Sequence, residues 1–228
     1  MLEVHAPHKR LREVGEYFIH LVIITIGLLI ATQIESCEEW RAHRHIAAEA
    51  REALHNEITS NLKQLRDAQP AVKQWKAQLN EALADVQRVI DHPNDPAAQP
   101  HRLGIGCSGL SLDNTAWKTA QSTGALDYMP YSEASTYVNI YQAQERLVAA
   151  QDAPCADGAA VYGIIMKSHL DVKGAKVTKD EAEAMAEKLG QMKFHLAFGG
   201  AILEENIELN AAFVEGRKPK TDFTADFK

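Results

Sequence analysis

The stretch that decides the fold is Tyr17 to Ile34, YFIHLVIITIGLLIATQI, which contains no Lys, Arg, Asp or Glu. A helix of about 18 residues rises about 27 Å, close to the hydrocarbon thickness of a bilayer. Eleven of these residues are Ile, Leu, Val or Phe. At roughly −0.3 to −0.6 kcal/mol each they favour insertion by about 3 to 7 kcal/mol. His20 and Gln33 lie near the two ends, where a polar tip reaches the interface. A buried core helix would carry a polar face, and this segment has none. A cleaved signal would be shorter and end in a small-x-small site, which does not follow here. Ile34-Glu35-Ser36-Cys37 is a poor lipoprotein box, because Glu35 stands where a small residue is wanted. The segment is therefore read as a membrane anchor over residues 9–36, after a disordered lead at residues 1–8.

The organisation beyond the anchor follows from where the chain can stop being helical. No Gly or Pro occurs between Gly27 and Pro70, so one rod is predicted from about residue 10 to 69. Its outer part carries Ile46, Ala47, Ala50, Leu54, Ile58, Leu62 and Leu65 at three- and four-residue steps, a stripe that requires a partner helix. Pro70 is expected to kink or restart the helix. The stripe then resumes as Val72, Trp75, Leu79, Leu83, Val86 and Ile90.

Asp91 to Asp113, rich in Pro and Gly, reads as the one long loop. Asp113 is expected to cap a short helix over 114–123 that Gly124 ends. Further helices are expected at about 133–152 and from Asp157 to about Val172. Thr178-Lys179-Asp180-Glu181 is a capping box that opens a last helix running to about Phe213. Met185, Leu189, Met192, Leu196, Gly199, Leu203, Asn206, Asn210 and Phe213 form its seam. The expected fold class is all-α. The anchor continues into a stalk that packs antiparallel against the long C-terminal helix, shorter helices close the distal end of a bundle over 37–216, and a disordered or extended tail follows at 217–228.

Charge bounds the function. The chain of 228 residues has a formal net charge of −7. Setting aside Lys9, Arg10, Arg12, Glu3, Glu13, Glu16 and Glu35 leaves 21 basic and 27 acidic residues beyond the span. Such a body repels phosphate backbones, which argues against nucleic acid as a partner. Lys9, Arg10 and Arg12 before the span, against Arg41 and Arg44 after it, place the N-terminus in the cytoplasm and the body outside. In a bacterium that is the periplasm of the inner membrane, where Cys107 and Cys155 could pair across about 50 residues, or stay as two thiols. Cys37 is left over in either case.

Sites of chemistry are scarce. His43 and His45 point to different helix faces, and His92, His101, Asp95 and Cys107 match no zinc spacing, so no metal is expected. Gly104 to Gly109 resembles a dinucleotide loop but follows no strand, so no cofactor is expected. The surface candidates are Leu54 and Ile58 on the rod and Trp117, Gln121 and Tyr141, for which core packing is the ordinary alternative. Gly27-x-x-x-Ala31 lets a second membrane helix approach closely. The expected function is a membrane-anchored interaction or scaffold protein, not an enzyme, with lipid and either another membrane protein or a second copy as partners. The alternatives are a ligand-sensing periplasmic bundle acting through a partner, and an enzyme with its site in 91–128.

The run Gly27 to Ile34 with Glu38, Glu39 and Trp40 resembles an uncharacterised bacterial family of single-pass membrane proteins that read G-x-L-I-A-L-Q-I-x-x-W at the anchor. Here Thr32 replaces a Leu, and Trp40 comes a few positions later. Trp117-x-x-Ala120-x-x-x-Gly124-Ala125-Leu126, followed by Tyr137 and Tyr141, is similar to a second element of that family. The resemblance implies an anchor and a helical body, and brings no catalytic residues.

Overall fold

The computed structural model describes residues 9–99, 106–107, 109–167 and 176–220, with side chains from residue 16 onward. The expected lead at 1–8, His101, the first residues of the glycine run and residues 221–228 of the tail lie outside the described residues. All regular structure described is helical. A single helix, α1, runs from Lys9 to Asp91, 83 residues and about 125 Å. It passes through Pro70, which therefore does not restart it. Pro70 and Arg66, whose carbonyl loses its N–H partner there, both lie on the exposed side, where water can take over.

From Ile46 onward the stripe on α1 is covered by the chain itself. The long helix α5, Lys179–Val214, runs back along it. Leu79, Val86 and Val89 of α1 share a core with Met185, Leu189 and Met192. Leu65 meets Leu203, and the cluster of Ala47, Leu54 and Ile58 takes in Phe213 and Val214. The order is inverted along the two helices, so the pair is antiparallel. The capping box that opens α5 is complete: Glu181 N–H donates to Thr178 Oγ1 at 3.3 Å, and Thr178 N–H donates to Glu181 Oε2 at 2.9 Å.

Three shorter helices flank this pair: α2 (Thr115–Ser122), α3 (Tyr131–Ala150) and α4 (Asp152–Lys167). Only α4 lies toward the distal end, where Val161 and Ile165 enter the core with Met185 and Leu189. α2 and the 3₁₀ turn Ala125–Tyr128 instead pack on the half of the stalk nearer the anchor, through Trp117, Ala120 and Ala125. α4 begins five residues before the expected Asp157, because Pro154 falls in its first turn, where its missing N–H has no acceptor to lose. Gly124, with φ +68°, ends α2 as expected.

Asp113 does not cap α2. Asn114 occupies the cap position without a side-chain bond, and Glu57 of α1 takes the free N–H groups of Ala116 (2.7 Å) and Trp117 (3.2 Å). The start of the tail is held in place. Arg217 pairs with Glu208 and Glu215, and Lys220 N–H donates to Glu208 at 2.8 Å, folding residues 217–220 back onto α5.

Candidate functional site

Between its packed ends the α1–α5 seam opens. Ala68 and Ala71 on α1 and Gly199 and Gly200 on α5 border the same space, and none of them has a side chain long enough to cross it. The result is a cleft of about 440 Å³, floored by Val72, Leu196 and Leu203. Trp75, Leu147 and Pro154 complete its apolar wall, with Gln64, Gln74 and Gln78 adding amides. This volume lies in the range of small-molecule sites, about 300 to 1,000 Å³.

Gly106, Cys107, Gly109 and Leu110 of the connection between α1 and α2 form its outer side, and this stretch is held at Cys107, Leu110 and Asp113. Cys107 and Cys155 form a disulfide with Cα atoms 5.3 Å apart. Gln151, at the end of α3, clasps the backbone of Leu110: its Oε1 accepts the Leu110 N–H, and its Nε2 donates to the Leu110 carbonyl at 3.1 Å. Asn61 clasps Asp113 in the same manner, with Nδ2 donating to the carbonyl at 2.8 Å and Oδ1 accepting the N–H at 3.0 Å. Carboxamides thus satisfy backbone groups that a sheet neighbour would otherwise take.

A histidine–aspartate pair borders the cleft. His195 Nδ1 lies 2.7 Å from Asp157 Oδ2, which joins α5 to α4. Trp75 Nε1 is buried and has no hydrogen-bond partner among the described residues. Among the described residues no three His, Cys, Asp or Glu side chains converge as a metal site would require.

The residues singled out from sequence sit elsewhere. Leu54 and Ile58 are both 0 % exposed, Trp117 7 % and Tyr141 2 %, so none of the four presents a surface. The chain covers the rod stripe internally: Trp117 stacks on Tyr141 at 4.9 Å between ring centroids, against Leu54 and Ile58. Tyr141 Oη donates to Glu57 Oε1 at 2.7 Å. Burial first, and then this bond to a carboxylate, push the Tyr141 hydroxyl well above the ordinary phenol range. Gln121 alone of that group is exposed. Gly27 and Ala31 lie on the exposed first part of α1, with nothing of the chain within 4 Å of a Cβ placed at Gly27.

The sequence reading missed His195, Asp157, Ala68 and Ala71. It placed Gly199 in the α5 seam, and a glycine among Met and Leu is the signal that the seam opens there. It also missed a buried amide chain. Asn61 Nδ2 donates to Gln144 Oε1 (3.1 Å), Gln144 Nε2 to Asn210 Oδ1 (2.8 Å), and Asn210 Nδ2 to the Asn206 carbonyl (2.7 Å).

No protein-family model matches the chain, and no curated protein or solved structure shows significant similarity to it.

Proposed function

We propose that this chain is a membrane-anchored interaction protein, an accessory subunit of a membrane complex or a self-associating bundle. Its N-terminus lies in the cytoplasm and its body in the periplasm of a bacterial inner membrane. The observation that carries the proposal is α1. One helix contains both a segment long and apolar enough to cross a bilayer, exposed on every side, and the central element of the folded body. A rigid link of that kind holds the body at a set height and transmits the rotation and tilt of the anchor. The Cys107–Cys155 bond supports a body in an oxidising compartment. The small pair Gly27 and Ala31, uncovered by the chain, supports a second helix in the membrane.

The test is the mass and composition of the full chain extracted in mild detergent. The expected result is a dimer or a defined complex that Gly27→Leu with Ala31→Leu disrupts; a single partner-free chain would overturn the proposal. A C-terminal reporter active only in the periplasm checks the orientation. The cleft favours a second reading, in which the bundle binds a small molecule and signals through that partner. It sits about 50 Å along α1 from the end of the apolar run.

A further inference from the structure

The turn between α2 and α3 brings the body close to the apolar run of α1. α2 starts beside Glu57, whose carboxylate accepts the Ala116 N–H at 2.7 Å, and the 3₁₀ turn that follows ends beside His43, on which the Tyr128 ring stacks with centroids 3.9 Å apart. The chain thus descends about 20 Å along α1 toward residues 17–34. It then climbs away through α3, where Glu133 pairs with Arg51 and Gln144 with Asn61. His43 lies about 14 Å along the helix from Ile34, and a headgroup layer fills about 5 to 8 Å of that height. A tilt of about 20° lowers an element packed about 9 Å to the side of α1 by about 3 Å more. Side chains lean toward the start of their helix, so Tyr131, the first residue of α3, reaches down across what remains. The fold leaves these rings uncovered: Tyr131 is 88 % and Tyr128 44 % exposed, whereas Tyr137 and Tyr141 farther along α3 are 3 % and 2 % exposed. Trp40, one turn below His43 on the same side of α1, is also exposed, with the Arg44 guanidinium 4.6 Å over its ring.

We propose that residues 126–131 form a foot that rests in the headgroup layer of the same bilayer that α1 crosses, with Tyr131 and Tyr128 as its contacts and Trp40 below them. Aromatic rings with a polar tip suit that layer, where one side is apolar and the other wet. This rests on the reading of residues 17–34 as a membrane anchor. It adds a second point of contact, which fixes how the body is turned and tilted about α1. Asp127 is the only charged residue between Gly124 and Ser132, so the rings hold the foot and not a basic patch. The contact therefore forms on zwitterionic lipid and withstands salt.

The experiment uses the full chain in phosphatidylcholine nanodiscs, with and without lipid that carries a nitroxide on its headgroup and quenches tryptophan on close approach. In the wild type, a loss of fluorescence that Trp40→Phe abolishes reports the inserted anchor. In the Trp40→Phe background, Tyr131→Trp is expected to lose fluorescence to the nitroxide, at low and high salt alike. Met166→Trp, at an exposed position on the distal part of α4, is expected to keep it. The unmutated chain gives a second measurement, acetylation of tyrosine by N-acetylimidazole. Tyr131, at 88 % exposure against 42 % for Tyr162, should nevertheless react more slowly than Tyr162 in the nanodisc. Quenching of Trp40 with an equal response from Tyr131→Trp and Met166→Trp, or faster acetylation of Tyr131 than of Tyr162, would overturn the foot and leave the anchor standing. Quenching of neither Trp40 nor Tyr131→Trp would overturn both.

Discussion

Two stretches of the same helix treat their apolar residues in opposite ways. Between Tyr17 and Ile34 the large side chains are exposed, Ile24 at 67 % and Leu28 at 66 %, whereas Leu54, Ile58, Leu65 and Val86 farther along are 0 % exposed. Backbone geometry does not distinguish them, since both belong to α1. The second stretch alternates apolar and charged residues so that one stripe meets α5, and the chain supplies its own cover. The first is apolar all round, and no single partner helix could cover it. An apolar stripe calls for another helix, and an apolar cylinder calls for an apolar solvent. Fold and anchoring should therefore respond to different substitutions.

The largest separation is expected from the disulfide. Cys107→Ser with Cys155→Ser frees a loop closed across a sequence separation of 48 residues, and chain entropy assigns such a closure about 4 kcal/mol. The urea midpoint of the body should fall accordingly while the protein still floats with vesicles. Next come two substitutions chosen to act on one stretch each. Leu54→Ala empties a fully buried site and should cost the body about 3 kcal/mol without affecting flotation. Leu28→Arg should cost about 3 kcal/mol of insertion and leave the unfolding of the body unchanged. If either substitution moved both readouts, the two stretches would not be independent.

The same contrast explains what the sequence made legible. The one segment long and apolar enough to cross a membrane was readable because it lacks charge, a property of a single segment. The α1 stripe, the α5 seam and the Thr178 capping box were readable because their partners recur at helical spacing or lie three residues apart. What could not be read depends on which residues of distant elements share a level. Glu57 caps a helix 58 residues later in the chain, so the local candidate Asp113 was the wrong cap. Leu54, Ile58, Trp117 and Tyr141 are aromatic and aliphatic groups of the kind that form interfaces, and only the fold shows that they face one another. The cleft exists because Ala68 and Ala71 lie opposite Gly199 and Gly200, which is a matter of register between helices more than 120 residues apart in sequence.

A smaller effect should come from the amides buried beside the apolar seam. Gln144 bridges Asn61 and Asn210, and Gln144→Leu keeps the volume while leaving both with an unmet polar group. The expected loss is about 2 kcal/mol. Adding Asn210→Leu should recover part of that loss by removing one of the two orphaned groups, and a double-mutant cycle measures the recovery. Additive losses would show that the amides act separately.

The smallest effect concerns the surface of α5, where the exposed side chains are charged and paired. Arg217 first, and then the Lys220 N–H, hold the Glu208 carboxyl down at about 2, against an ordinary value of 4.5. A carboxylate whose value is depressed in the folded state adds stability that is complete above about pH 4.5 and is lost as the pH falls through about 2. The Lys220 amide donates to this carboxylate, so its NMR shift should titrate with a midpoint near 2. In Arg217→Gln the midpoint should move up toward 4.5, because the largest cause of the depression is gone. A wild-type midpoint already at the ordinary value would mean that residues 217–220 are not held against α5 in solution. The C-terminal end of the body would then be released near the anchor, since Phe213 and Val214 pack with Ala47 at the start of the covered stretch.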